Sequence, residues 1–111
     1  MSSLRYVVLH HTGIEQPHFD LMLELSACSE LSTWRLPHWP PQTGDQFTPL
    51  PKHRREYLEY EGPVSRNRGQ VKRVAAGNYR VTRNSPTGMA IICDDGTALE
   101  LAFHSALPKS S

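Results

Sequence analysis

Apolar and polar side chains alternate over His18-Phe-Asp-Leu-Met-Leu-Glu-Leu25. Phe19, Leu21, Leu23 and Leu25 fall on one face, and His18, Asp20, Met22 and Glu24 on the other. A period of two predicts a half-buried strand. The preceding Arg5-Tyr-Val-Val-Leu-His-His11 is β-branched and aromatic and predicts another strand, separated from the first by a loop marked by Gly13 and Pro17. Leu31–Leu36 predicts a third. Residues 37–51 hold five prolines and fit neither a helix nor a central strand. They are expected to form an ordered loop pinned by Trp39 and Phe47. Lys52–Glu61 has no clean period. Gly69–Val74 and Asn78–Arg83 predict two strands around a turn at Gly77. Met89–Cys93 and Ala98–His104 flank Asp94-Asp-Gly96, a hairpin signal. In the second of these, Leu99, Leu101 and Phe103 point inward, and Glu100, Ala102 and His104 outward. Short strands, little helix and regular turns predict a mainly β fold, a compact closed or partly open β-barrel. The 111 residues suit a single domain over 1–111, with 105–111 frayed.

Composition narrows the class. Apolar residues make up 38% and charged residues 21%, as in soluble globular domains rather than disordered chains. No apolar run reaches the roughly 20 residues that span a bilayer. The opening Met1-Ser-Ser-Leu-Arg5 lacks a secretory pattern. A cytoplasmic monomer without membrane contact is expected. Cys28 and Cys93 have no metal-like spacing and are expected to be buried free thiols. Net charge is +1, but it is unevenly spread. Residues 1–51 carry two basic and five acidic side chains, residues 52–83 nine and three, and residues 84–111 one and three. A basic middle between acidic flanks can attract a polyanion.

Six histidines stand out in so short a chain. His18 and Asp20 lie two apart on one strand face, roughly 7 Å apart at the α-carbon. His11 ends the strand before them and can join them if the two strands pair. Two neutral imidazoles and one carboxylate make a facial ligand set with open positions. That set suits Mn²⁺, Fe²⁺ or Zn²⁺ in a catalytic rather than a structural site. A polar strand face with His11 bonded to a loop is the alternative on spacing alone. His10 faces away from His11, because adjacent strand residues point oppositely.

Four blocks in register resemble the 3′-phosphoesterase domain of bacterial DNA ligase D. Arg5-Tyr-Val-Val-Leu-His-His11 and His18-Phe-Asp-Leu-Met-Leu-Glu-Leu25 are similar to that family's R-F-V-V-x-x-H and H-Y-D-F-R-L-E-L. Leu31-Ser-Thr-Trp-Arg-Leu-Pro-His-Trp-Pro40 resembles L-x-S-W-A-V-P-K-G-P. His53-Arg-Arg-Glu-Tyr-Leu-Glu-Tyr-Glu-Gly62 resembles H-P-L-E-Y-x-D-F-E-G, and Gly69-Gln-Val with Gly77-Asn-Tyr79 resembles its G-x-V and G-x-W. The likeness runs from about residue 5 to about residue 82 and implies a small β-barrel enzyme. His11, His18 and Asp20 would hold Mn²⁺, with Zn²⁺ or another divalent transition metal as substitute. His53 would donate a proton or hydrogen bond to the scissile phosphate, and Tyr57 would hydrogen-bond it. The implied reaction removes a 3′-terminal ribonucleoside and then the 3′-phosphate, leaving a 3′-hydroxyl in DNA repair. The implied partners are DNA 3′ ends or a primer-template with a 3′-ribonucleotide, and a ligase or polymerase acting in trans. The basic segment, with Arg54, Arg55, Arg66 and Arg68, would grip the strand backbone without reading sequence. Trp39 is a candidate for base stacking, against ordinary loop packing.

The chain departs from that pattern at phosphate-facing positions. Met22 stands where the family has arginine, and His38 where it has lysine. The loop from His11 to His18 is one residue longer, and Ser65-Arg-Asn-Arg-Gly69 replaces a glycine-rich segment. Arg35, Arg66 or Arg68 could supply the missing charge from another direction. Three readings stay open: an active 3′-end phosphoesterase, a weakened member that binds nucleic-acid ends, and a metal phosphoesterase with another substrate.

Overall fold

The computed structural model describes residues 4–26 and 29–103. Eight strands form one antiparallel sheet: β1 Leu4–Thr12, β2 His18–Glu24, β3 Leu31–Leu36, β4 Thr48–His53, β5 Gly62–Pro63, β6 Gln70–Ser85, β7 Gly88–Cys93 and β8 Ala98–Ala102. They lie in the order β4-β3-β2-β1-β6-β7-β8, with β5 paired to the start of β6. One 3₁₀ helix, Arg55–Leu58, follows β4. The fold is mainly β, and the sheet curls into a partly open half-barrel. Across the opening, the Trp34 indole N–H donates to the Ala102 carbonyl at 2.6 Å, tying β3 to the end of β8. No helix among the described residues is long and apolar enough to cross a membrane.

Each face of the sheet has its own core. Tyr6, Val8, Leu21, Leu23, Trp34, Leu36, Tyr79, Ile91, Leu99 and Leu101 build the larger one, with Trp39 and Phe47 packed against it. The loop aromatics therefore pin residues 37–47 as their composition suggests. Val7, Leu9, Met22, Leu31, Leu58 and Val71 build the smaller core on the opposite face, beneath Tyr57, Tyr60 and Val64. Strand β2 is consequently buried on both faces, not half-buried: His18, Asp20, Met22 and Glu24 are all inside. The segment after β4 folds across the sheet and covers the face that alternation alone assigns to solvent. Leu25, at the end of the alternating run, is exposed instead.

Three further differences each have a physical cause. Residues 70–85 form one strand, with no turn at Gly77. A Cβ at Gly77 would meet the Asp94 carboxylate at 2.5 Å, and that carboxylate accepts the Asn78 N–H at 3.0 Å. The glycine allows close approach, not reversal. A bulge leaves Val74 unpaired, because Val8 faces Ala75 while Leu9 faces Arg73. The extra residue reverses the inside–outside parity of β6, so Val71 joins the smaller core and Tyr79 the larger. Finally, Thr48–Pro51 is not loop but the start of edge strand β4, where Pro49 and Pro51 are tolerated.

The Gly88–Cys93 and Ala98–Ala102 hairpin forms around Asp94–Gly96 as expected, with Leu99 and Leu101 buried and Glu100 exposed. Cys93 is a buried free thiol whose pKa burial pushes up to about 11. Cys28, His104 and the tail 105–111 lie outside the described residues.

Candidate metal centre

Pairing of β1 with β2 sets His11 opposite His18 and Leu9 opposite Asp20. All three polar side chains emerge on the face of the smaller core. His11 and His18 meet edge to face with ring centroids 5.1 Å apart. His18 Nε2 lies 3.4 Å from Asp20 Oδ1, and His11 Nδ1 lies 4.0 Å from Asp20 Oδ2. One ligand atom from each residue falls within 4.8 Å of the others, close enough to share one ion. Asp20 and His18 are buried, and His11 is half-buried.

Backbone carbonyls fix which nitrogen of each neutral ring carries the proton. The Arg68 carbonyl lies 2.7 Å from His11 Nε2, and the Gln16 carbonyl 2.9 Å from His18 Nδ1. A carbonyl only accepts, so each of those nitrogens is N–H. The opposite nitrogens, His11 Nδ1 and His18 Nε2, are then bare lone pairs in the neutral rings. Both face the Asp20 carboxylate, which is also an acceptor. His18 Nε2 and Asp20 Oδ1 are buried without any hydrogen-bond partner among the described residues. Three converging acceptors with no donor between them are what a divalent cation requires. The group therefore fits a metal ion on the chemistry of its donors and on its orphaned atoms.

A tight contact delivers the Arg68 carbonyl. Gly69, at φ +77°, lies against the end of β1, and a Cβ there would sit 2.1 Å from the Thr12 carbonyl oxygen. Gly69→Ala is expected to cost about 2 kcal/mol or more, because backbone strain and a backbone clash coincide. Chemical denaturation of the variant, alongside its Mn²⁺ affinity, checks this. Both should fall together.

A cleft of about 420 Å³ opens beside the ligand group. Its walls include His11, Asp20, Met22, Arg35, Lys52, His53, Arg54, Tyr57 and Arg68. His53 and Tyr57 stand edge to face with centroids 5.8 Å apart. His53 Nδ1–H donates to the Pro51 carbonyl at 3.0 Å, which leaves Nε2 without a partner among the described residues. Four cationic side chains and one carboxylate line this space, so it favours an anion.

Compared with protein-family models and with curated proteins, the chain matches none.

The structure does not bring every expected cation here. Arg55 points to the other end of β2, where Nη2 meets the buried Glu24 carboxylate at 2.5 Å and Nη1 donates to the Ser29 carbonyl at 3.0 Å. That arginine holds the covering segment down on the sheet. His38 pairs with Asp45 at 3.0 Å within its own loop, outside the cleft walls. Arg66 is exposed in the turn before Gly69, with φ 64°, and does not line the cleft. Arg54 does line it, while also pairing with Glu56 at 3.3 Å. His10 stacks on Phe19 with centroids 4.3 Å apart, away from the ligand group. Met22 is buried and forms part of the cleft floor. Lys52 in the cleft wall, and the Arg68 and Gln16 carbonyls behind the imidazoles, were missed by sequence reasoning. Lys52 had a signal in the basic segment. A backbone carbonyl has none.

Proposed function

We propose that this protein is a divalent-metal-dependent phosphoesterase, using Mn²⁺, that processes 3′ ends of DNA by removing 3′-terminal ribonucleotides and 3′-phosphates. One observation carries the reading: two bare imidazole nitrogens and a carboxylate converge without a donor, beside a cationic cleft holding His53 and Tyr57. The resemblance of its motifs to ligase D phosphoesterases supports the substrate class. When bound, the ion supplies Lewis-acid polarisation of a phosphoryl oxygen and a more acidic water.

The chain's own residues do the rest. His11, His18 and Asp20 hold the ion, with ring orientation set by the two carbonyls. Protonated His53 donates from Nε2 to the departing oxygen, because Nδ1 is committed to Pro51. The Tyr57 hydroxyl donates to a non-bridging phosphate oxygen. Lys52, Arg54 and Arg68 hold the strand by charge alone, so binding should weaken steeply with salt.

Primer-templates ending in a ribonucleotide or a 3′-phosphate, incubated with and without Mn²⁺, test this by product analysis. A 3′-hydroxyl product that needs metal is expected, and His53→Ala should lower the rate about 100-fold or more while keeping Mn²⁺ affinity. Salt-sensitive binding to ends without turnover would point instead to an end-binding role, which buried Met22 favours. Turnover of other phosphate esters only would reassign the substrate.

A further inference from the structure

A second cleft, of about 330 Å³, lies on the His18 side of the ligand group, with Gln16, Gln46 and Thr48 in its walls. Arg35 lines both this cleft and the cationic one. It sits on β3 directly opposite Asp20 on β2 and Thr48 on β4. Directly opposed side chains in a sheet start about 5 Å apart at Cβ. Even so, the Arg35 guanidinium makes no ion pair with Asp20, and no hydrogen bond or ion pair with any of the described residues. Arg5, Arg54, Arg55 and Arg83, by contrast, each meet a glutamate.

Arg35 is exposed, as are Arg66 and Arg80, which pair with nothing either, but of these three only Arg35 lines the two clefts and stands opposite the buried carboxylate that has an unsatisfied oxygen. The carboxylate is left to take a cation, and the guanidinium to take an anion adjacent to that cation. We propose that Arg35 grips the phosphoryl group of the substrate, entering from β3 and supplying the charge that Met22 on β2 does not. This rests on the metal-dependent phosphoesterase reading and adds a substrate-contacting residue to it. Met22 and Arg35 are diagonal neighbours on the same face, since Met22 opposes Thr33 and Asp20 opposes Arg35. A long side chain from either position therefore reaches the same space above the ligand group. The planar fork of arginine can bind two phosphate oxygens at once, which lysine cannot.

The test measures inorganic phosphate binding to Mn²⁺-loaded protein by calorimetry, beside Mn²⁺ affinity itself. Arg35→Ala should leave Mn²⁺ affinity within about threefold of wild type and weaken phosphate binding at least about tenfold. Arg35→Lys should recover part of the loss. Arg80→Ala, at an exposed position outside both clefts, should match wild type. The same order should appear in turnover of a 3′-phosphate end. Equal phosphate binding by wild type and Arg35→Ala overturns the assignment while leaving the enzyme reading intact. A protein that loads Mn²⁺ and loses phosphate binding in Arg35→Ala, yet turns over no 3′ end, upholds the assignment and overturns the 3′-end substrate. A wild-type protein that takes up no Mn²⁺ overturns both.

Discussion

Asp20→Asn is expected to abolish Mn²⁺ uptake and, without metal, to raise the melting temperature. Both effects have one cause. Asp20 Oδ1 lies buried 3.4 Å from His18 Nε2, which is bare in the neutral ring, and neither atom has a hydrogen-bond partner among the described residues. Two facing acceptors repel. An asparagine amide can turn its NH₂ toward His18 Nε2 and convert the repulsion into a hydrogen bond. Relief of unsatisfied buried polar atoms is worth about 1–2 kcal/mol, or roughly 4–16 °C in a domain of this size. With metal the order reverses. Mn²⁺ at a hundred times its dissociation constant should stabilise wild type by about 2.7 kcal/mol and leave the variant unmoved. Differential scanning fluorimetry with a Mn²⁺ titration reads both halves. A variant that still responds to Mn²⁺ like wild type would remove the ligand set from further consideration.

Arg55→Met is expected to destabilise the fold strongly without directly touching the candidate metal site. Glu24 is buried at the end of β2 and accepts hydrogen bonds from the Arg55 guanidinium and, at 3.2 Å, from the Arg5 N–H. The Arg55 hydrogen bond holds its carboxyl below the usual 4.5, against the upward pull of burial. Removing the arginine strands a buried charge, which typically costs about 3–5 kcal/mol. Arg55 is itself about a third exposed, so solvent screening brings the expectation down to about 2–3 kcal/mol. The sign of the pH dependence follows from a lowered folded-state pKa. The pair contributes fully above pH 4.5, the ordinary value for Glu24, and the contribution fades as pH falls through the lower folded value. The stability gap between wild type and Arg55→Met should therefore be wide at pH 7 and narrow at pH 3. Urea denaturation at the two values measures it. Glu24→Gln in the Arg55→Met background should recover part of the loss, because the buried charge is gone. A gap of equal size at both pH values would mean that Arg55 acts by packing alone.

Arg55 and Arg35 show why charge in a sequence underdetermines role. Arg55 belongs to the basic segment and reads as a phosphate contact. Its real partner, Glu24, is 31 residues away in sequence and meets it only when the covering segment folds over β2. Arg35 stands alone in an otherwise weakly charged stretch, yet ends at the junction of two clefts because β3 pairs with β2 in the register that sets it against Asp20. His38 likewise finds a local partner in Asp45, seven residues on.

Periodicity, β-branching and turn chemistry are local properties, and they were enough to locate β1, β2, β3 and the β7–β8 hairpin. The same holds for the ligand group. His18 and Asp20 share a face by the geometry of any strand, and His11 needs only the adjacent hairpin register to join them. Long-range contacts decided the rest. That neither face of β2 meets water depends on residues 53–64 crossing the sheet, and alternation within β2 carries no record of that. The parity of β6 turns on one unpaired residue, Val74, whose bulge exists only against β1. The bare nitrogens of the candidate metal centre depend on the Gln16 and Arg68 carbonyls, backbone groups that every residue possesses and that only folding can aim.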